Sequence, residues 1–203
     1  GEPLAYVVGH QPFLDFSVRV TPAVLIPRIE TEGLAEWAVR FARLRAAAGA
    51  PLRRILDVGT GSGALAIALA RACPEAAVTA TDISDDALAV ARINVDKHGL
   101  SSRITLMKSD LLQSVGGPYD LIVANILAGP LVALAPSIRR RLASSGTLIL
   151  SGLLPEQRNR VAAAYRAAGL RLMRSVTREG WVTLTLTLPP AGRPRRKPVG
   201  CFG

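Results

Sequence analysis

The chain contains few of the residues from which metal sites and disulfide frameworks are built. Its 203 residues include two cysteines, Cys73 and Cys201, and two histidines, and neither pair has the spacing of a metal site. No apolar run approaches the roughly 18 residues of a membrane-spanning helix, and the first residues do not form a signal-peptide pattern. We therefore expect a cytoplasmic protein with reduced cysteines, no bound metal and no contact with a membrane.

Acidic and aromatic residues are also scarce. Fifteen Asp and Glu residues stand against 25 Lys and Arg residues, which gives a formal net charge of +10, and aromatic residues make up 4% of the chain. A positive excess favours a nucleic acid or a ribosomal partner. Because no aromatic-rich RNA-stacking motif accompanies the charge, we expect only a weak RNA or ribosome contact, made through a basic tail at residues 189–203.

Glycine is concentrated at one informative place. The segment Asp57-Val58-Gly59-Thr60-Gly61-Ser62-Gly63 ends an apolar run that begins at Arg54, and an alanine-rich stretch from Leu65 to Ala72 follows it. This pattern predicts a strand, a glycine turn and a helix N-terminus, an arrangement that brings a nucleotide-like ligand against bare backbone. The glycines permit a tight turn, close approach of the ligand and close packing of the helix.

Two kinds of ligand fit this turn. Gly59, Gly61 and Ala64 satisfy the dinucleotide fingerprint, in which the last position is Gly or Ala. Asp82 ends the next apolar run, at about the 20-residue distance of a ribose-binding carboxylate. The glycines and this aspartate are therefore compatible with an NAD-type ligand as well as with other ribose-containing ligands.

The distribution of acids and amides over four successive apolar runs resembles that of class I S-adenosylmethionine-dependent methyltransferases. Asp57, Asp82, Asp110 and Asn125 each stand at the end of one run. The resemblance implies that Asp82 holds the ribose hydroxyls, that Asp110 holds the adenine amino group and that the glycine loop passes under the methionine part. The cofactor-binding residues that it implies are Asp57, Gly59, Thr60, Gly61, Gly63, Asp82, Ile83, Asp110, Leu111 and Asn125, with S-adenosyl-L-homocysteine as product.

Strand-like and helix-like segments alternate along most of the chain, which predicts a parallel sheet with helices on both faces. Strands are expected near 53–58, 76–81, 103–108, 119–124 and 146–151, and helices near 31–48, 62–73, 84–98, 129–143 and 155–168. Two closing strands near 170–177 and 181–188, separated by Glu179-Gly180, predict an antiparallel hairpin. The expected fold is α/β, with the Rossmann-like seven-stranded sheet of class I methyltransferases.

Three regions are expected along the chain. Residues 1–30 are short, extended and interrupted by proline, and they predict a β-hairpin that forms an entrance segment. Residues 31–188 form the methyltransferase domain. Residues 189–203 are rich in Pro, Gly and Arg, which predicts a disordered basic tail.

Residues 1 to about 115 resemble the release-factor glutamine methyltransferases of the HemK or PrmC type. The matching segments are Gly1–Tyr6, Val20–Arg28 and Glu30-Thr31-Glu32. That family has Asn-Pro-Pro-Tyr after its fourth strand, where this chain has Asn125-Ile126-Leu127-Ala128. The two prolines and the tyrosine that shape the glutamine pocket are therefore missing.

Residues from about 118 to 188 instead resemble the ribosomal-protein methyltransferases of the PrmA type, which methylate amines. The matching segments are Asp120–Leu131, Leu150–Leu154 and Glu179–Val182. This resemblance implies a ribosomal protein as the partner, whereas the N-terminal resemblance implies a release factor.

Methyl transfer from a sulfonium requires an aligned donor and acceptor but no covalent nucleophile on the protein. The expected catalytic residues are Asn125, Ile126 and Leu127. The Asn125 carbonyl oxygen can accept a hydrogen bond from an acceptor N–H, and the apolar side chains can lower the pKa of an amine by desolvation. The predicted function is S-adenosylmethionine-dependent methylation of an amine, the side chain of a lysine, on a ribosomal protein. The alternatives are methylation of a release-factor glutamine and a non-catalytic module that only binds the donor.

Overall fold

The N-terminal segment of the chain folds as a short helix followed by a hairpin. The structure is a computed structural model that describes residues 1–110 and 112–189. Helix α1 spans Leu4–Val8, and strands β1 (His10–Phe13) and β2 (Phe16–Arg19) pair antiparallel. The predicted hairpin is confirmed, but the expectation of a wholly extended segment is wrong for Leu4–Val8. Pro3 precedes the helix with φ −57°, and Gly9 ends it in the left-handed region at φ +79°.

The rest of the described chain alternates between strands and helices around one sheet. In chain order the elements are α2 (Ile29–Ala47), β3 (Arg54–Val58), α3 (Ala64–Ala72), β4 (Ala77–Asp82), α4 (Asp85–Lys97), β5 (Ile104–Lys108), β6 (Tyr119–Asn125), α5 (Ala128–Arg141), β7 (Leu142–Leu153), α6 (Arg158–Ala167), β8 (Arg171–Arg178) and β9 (Trp181–Thr187). The strand order is β5-β4-β3-β6-β7-β9-β8. Strands β3 to β7 run parallel and β9 is antiparallel to both neighbours, so the predicted seven-stranded fold is confirmed.

Several element boundaries differ from the sequence prediction. Strand β7 begins at Leu142 rather than near 146, because Leu142 pairs with Tyr119 ahead of an irregularity in the ladder. Helix α5 accordingly ends at Arg141, and Pro136 lies inside it. Residues Pro155–Gln157 form a 3-10 turn, so α6 begins at Arg158 rather than near 155. At Leu142, pairing with a neighbouring strand overrides the helical pattern.

Two apolar cores lie on opposite faces of the sheet. Helices α2, α3 and α4 pack on one face, against side chains such as Ile55, Leu121 and Ile149. Helices α5 and α6 pack on the other face, against Leu56 and Ile122 among others. The chain crosses between faces at the β3–β6 junction, which places the carboxyl ends of β3, β4 and β6 side by side. Ligands of open α/β sheets bind at such a switch point.

No helix among residues 1–110 and 112–189 is long and apolar enough to cross a membrane.

Candidate ligand cleft at the carboxyl ends of the strands

A cleft of about 780 Å³ opens at the carboxyl ends of β3, β4 and β6. Its size and largely apolar lining suit a small-molecule ligand. The lining includes these residues singled out from the sequence: Asp57, Gly59, Thr60, Gly61, Asp82, Ile83, Asp110, Asn125, Ile126 and Leu127. The fold therefore gathers at one place residues that are spread over about 70 positions of the sequence.

The glycine loop is fastened to the end of β4 through Asp82. The Gly61 backbone N–H donates to Asp82 Oδ2 at 2.9 Å, and the Ser84 N–H donates to Oδ1 at 3.0 Å. Ser84 also begins α4, because its hydroxyl accepts a hydrogen bond from the Ala87 N–H. Each carboxylate oxygen has a second lone pair, so Asp82 remains able to accept hydrogen bonds from ligand hydroxyls.

Asp57 is a buried carboxyl group beneath the same loop. It is 1% exposed, and the Thr60 hydroxyl donates to its Oδ2 at 2.7 Å. Burial raises the pKa of Asp57 to about 7, the negative charge of Asp82 adds to the rise, and the Thr60 hydrogen bond opposes it. Asp57 therefore orients the loop through Thr60 and also changes its charge near neutral pH.

Gly59 gives the loop its closest approach to another element. Its φ is +74°, and a Cβ built on it would lie 2.3 Å from Ile126 Cγ2, in the loop after β6. Gly63, which the sequence also suggested as a ligand contact, does not line the cleft. It precedes α3 at φ +82°, and a Cβ there would lie 3.4 Å from Ala91 Cβ of α4. Gly63 thus serves the packing of two helices.

Asn125 at the end of β6 is held by a residue of the N-terminal part of the chain. Its Nδ2 donates to the Thr31 hydroxyl at 2.7 Å, which leaves the amide oxygen for other partners. Gly152 (φ +77°) in β7 faces that oxygen, since a Cβ there would lie 2.9 Å from Asn125 Oδ1 and 2.8 Å from the Ile126 carbonyl oxygen. The bare Gly152 backbone keeps space open beside the amide.

Several large apolar side chains of the cleft are exposed. Leu25 is 76% exposed, Ile83 63% and Leu127 75%. Asp110 is also exposed at the rim, whereas Leu111 lies outside the described residues. The Ser109 hydroxyl is buried and has no hydrogen-bond partner among the described residues. An apolar rim of this kind is a feature that a bound ligand would cover.

Sequence reasoning missed three residues that shape this region. Thr31 was quoted only as part of a motif, and its bond to Asn125 spans 94 positions. Asn94, fully buried in α4, accepts from the Arg19 N–H at 2.6 Å and donates to the carbonyls of Arg19 and Ser62, so it ties β2 to the glycine loop. Trp37 of α2 packs half-buried against the core, and its Nε1 donates to the Thr185 hydroxyl. The one signal in the sequence was Asn94, a polar residue among the apolar positions of the α4 pattern.

Comparison with known proteins identifies the family. The family model described as ribosomal protein L11 methyltransferase (PrmA) matches residues 45–188. The chain belongs to this family. The class I methyltransferase fold and the PrmA-type resemblance of the C-terminal part are therefore confirmed, and the dinucleotide interpretation of the glycine turn is set aside.

Curated relatives bear related names. A ribosomal protein L11 methyltransferase of Rhizobium rhizogenes is 47% identical over 142 residues, which cover 68% of this chain and 48% of the relative. One from Brucella abortus is 47% identical over 137 residues, which cover 65% of this chain and 47% of the relative. The chain therefore spans about half the length of the curated relatives it matches.

Solved structures agree with the fold. The ribosomal protein L11 methylase of Lactobacillus delbrueckii subsp. bulgaricus superposes with a TM-score of 0.73 at 34% identity, and 84% of each chain is covered. The SAH-bound methyltransferase PaMTH1 of Podospora anserina, at 18% identity and a TM-score of 0.60, shows the fold alone. The resemblance of residues 1 to about 115 to release-factor methyltransferases stays a prediction, because the family model begins at residue 45.

Proposed function

We propose that this chain binds S-adenosylmethionine in the cleft and transfers its methyl group to a nitrogen of a ribosomal protein. The observation that carries the proposal is the meeting of the glycine loop, Asp82 and Asn125 in one cleft of a PrmA-family chain. Ribosomal protein L11 is the first candidate substrate, because the relatives are named for it. When bound, S-adenosylmethionine supplies a sulfonium methyl group that a nitrogen lone pair can attack.

The donor side of the cleft fits such a ligand. Asp82 offers free lone pairs for ribose hydroxyls, and the bare backbone at Gly59 and Gly61 allows close approach. Exposed Ile83 offers an apolar surface for a flat base, and Asp110 offers a carboxylate for its amino group.

The acceptor side favours an amine. The Thr31 bond fixes the Asn125 amide so that its oxygen can accept a hydrogen bond from an acceptor N–H. Ile126 and Leu127 line the cleft beside it and make it apolar, which lowers the pKa of a lysine and favours the neutral amine that must attack. Lysine is accordingly our proposed acceptor.

One observation keeps glutamine as the second candidate. Thr31 belongs to the Glu30-Thr31-Glu32 motif shared with the release-factor enzymes, and it contacts Asn125 directly. A glutamine amide also offers an N–H to the Asn125 oxygen. The missing prolines and tyrosine of the glutamine pocket weigh against this candidate, since the acceptor loop lies closer to the reacting nitrogen than the N-terminal segment does.

The test is transfer of labelled methyl from S-adenosylmethionine to purified ribosomal protein L11 and to a purified release factor, followed by mass-spectrometric mapping. Methylated lysine on L11 supports the proposal, and methylated glutamine on the release factor alone overturns the choice of acceptor. Donor binding without transfer to either protein would indicate a non-catalytic module. Asn125→Ala should slow transfer while leaving the donor Kd within about twofold of the parent, because the side chain faces the acceptor.

A further inference from the structure

A second cavity lies between a helix and the antiparallel end of the sheet. It has a volume of about 350 Å³ and lies between α2 and strands β8 and β9. On the opposite face of these strands, Val182, Leu184 and Leu186 are buried in the core with α6. The alternate residues of β9 are Trp181, Thr183, Thr185 and Thr187, so the sequence itself gives this face a polar pattern. We call this cavity the α2–β8 groove.

The walls of the groove carry one aromatic platform, Trp37, and equal numbers of basic and acidic side chains, Arg40, Arg174 and Arg178 against Glu30, Glu36 and Glu179. Arg174 of β8 stacks on the Trp37 ring of α2 with its guanidinium carbon 4.3 Å from the ring centroid. Arg178 pairs with Glu36 across the groove at 3.4 Å. Arg40 and Arg174 have no ion-pair partner among the described residues. Two arginines are therefore available to carboxylates of a ligand.

At Gly33 one wall of the groove has no side chain. It lies inside α2 in helical conformation, where glycine costs about 1 kcal/mol relative to alanine. A Cβ at Gly33 would meet only Arg178 Nη1, at 3.9 Å, which is an ordinary contact. The packing of the fold therefore does not require glycine here, and the missing side chain leaves space in the groove.

The groove is continuous with the ligand cleft. Glu30 and Trp181 line both cavities, and Glu30 is the neighbour of Thr31, which holds Asn125. A chain lying in the groove would thus pass Glu30 and Trp181 at the point where its side chain could enter the cleft beside Asn125. The groove leads to the acceptor side of the site.

We propose that the α2–β8 groove binds the polypeptide segment of the substrate protein next to the methylated residue. This inference rests on the proposed function. The segment is extended and polar, and it presents an acidic side chain to Arg40 and Arg174. An open groove with a polar floor, an aromatic platform and unpaired arginines suits such a segment better than an apolar small molecule.

The experiment measures binding of unmethylated ribosomal protein L11 to the full chain in the presence of S-adenosylhomocysteine. Gly33→Leu fills the groove with a better helix former, so its thermal midpoint should not fall. Arg174→Glu reverses one wall charge, and Arg171→Glu is the matched control, because Arg171 lies on the same strand and does not line the groove. Gly33→Leu and Arg174→Glu should each raise the L11 Kd roughly tenfold, the effect of losing a central interface contact.

Each outcome bears on one proposal or the other. The Kd of S-adenosylhomocysteine should stay unchanged in all three variants, and Arg171→Glu should bind L11 nearly as the parent does. If Gly33→Leu and Arg174→Glu bind L11 with parental affinity, or if the parent does not bind L11, the groove proposal is overturned. Methyl transfer by the parent is scored separately. L11 that binds in the groove but is not methylated would contradict the proposed function alone.

Discussion

Asn125 depends on a residue far away in the sequence for its orientation. A side-chain amide carries both a donor and an acceptor, and the Thr31 hydroxyl binds the donor end. The oxygen is then presented beside Gly152, where there is no side chain to block it. The chemistry proposed for Asn125 therefore depends on one hydrogen bond.

Thr31→Val should reduce methyl transfer by about tenfold, because the loss of one hydrogen bond to a partly buried amide costs about 1–2 kcal/mol. Thr31→Ser keeps the hydroxyl and should restore most of the rate. Steady-state kinetics with L11 as acceptor, together with calorimetric donor affinity, provide the measurement. A fall in donor affinity equal to the fall in rate would show that Thr31 supports the cleft as a whole.

Asp82 combines two tasks, because its carboxylate accepts from two backbone N–H groups and is proposed to bind the ribose. Asp82→Ala should weaken donor binding by on the order of 1–3 kcal/mol. Asp85→Ala is the control, since Asp85 is exposed and pairs with Lys108 outside the cleft. Calorimetry with S-adenosylhomocysteine measures both. Equal affinities for the parent and Asp82→Ala would remove Asp82 from the donor site.

At the scale of elements, the loop after β3 and the loop after β6 fit together without room for one more carbon. Gly59→Ala would place a methyl group against Ile126 and would also force a non-glycine residue to φ +74°. Gly61→Ala has the same kind of strain at φ +53°, but nothing lies within 4 Å of the added carbon. A comparison of the two variants therefore separates the cost of steric overlap, which only Gly59→Ala has, from the cost of backbone strain, which both variants have.

Gly59→Ala should lower the free energy of unfolding by about 1–3 kcal/mol more than Gly61→Ala does, since only it overpacks the interface. Adding Ile126→Ala to Gly59→Ala should recover part of that difference. Urea unfolding of the parent, Gly59→Ala, Ile126→Ala and the double variant forms a double-mutant cycle. Equal losses for the two glycine variants would show that backbone strain alone explains both.

At the scale of the whole molecule, the raised pKa of Asp57 links folding to pH. The unfolded chain releases this proton near the ordinary carboxyl pKa of 3.8, whereas the folded chain holds it until about pH 7. Between these values the folded state binds more protons, so the Asp57 contribution to stability is fully present below pH 3.8 and is lost as pH rises through 7.

Asp57→Asn should therefore flatten the pH dependence of stability. From pH 4 to pH 8 the parent should lose on the order of a few kcal/mol relative to the variant, because one pKa unit corresponds to about 1.4 kcal/mol. Urea unfolding at pH 4, 6 and 8 measures the difference. Parallel curves for the two proteins would mean that Asp57 keeps an ordinary pKa in the folded chain.

The sequence by itself determined the architecture and the place of the cleft. The fold follows local properties of the sequence. These are the strand and helix periods, the turn residues and the polar residues at the ends of apolar runs. The run from Arg54 to Ala72 predicted the strand, the glycine turn and the helix that the structure contains. The helix at residues 4–8 was not predicted, because five residues are too few to show a helical period.

Only the tertiary structure decided how the cleft works. The bonds of Asn125 to Thr31 and of Asn94 to Arg19 and Ser62 join segments 32 to 94 positions apart. Such pairs depend on strand order and helix placement, which no local pattern encodes. The pKa of Asp57 and the α2–β8 groove have the same origin, since the burial of a carboxyl group and the space left between a helix and the sheet both depend on how the elements pack.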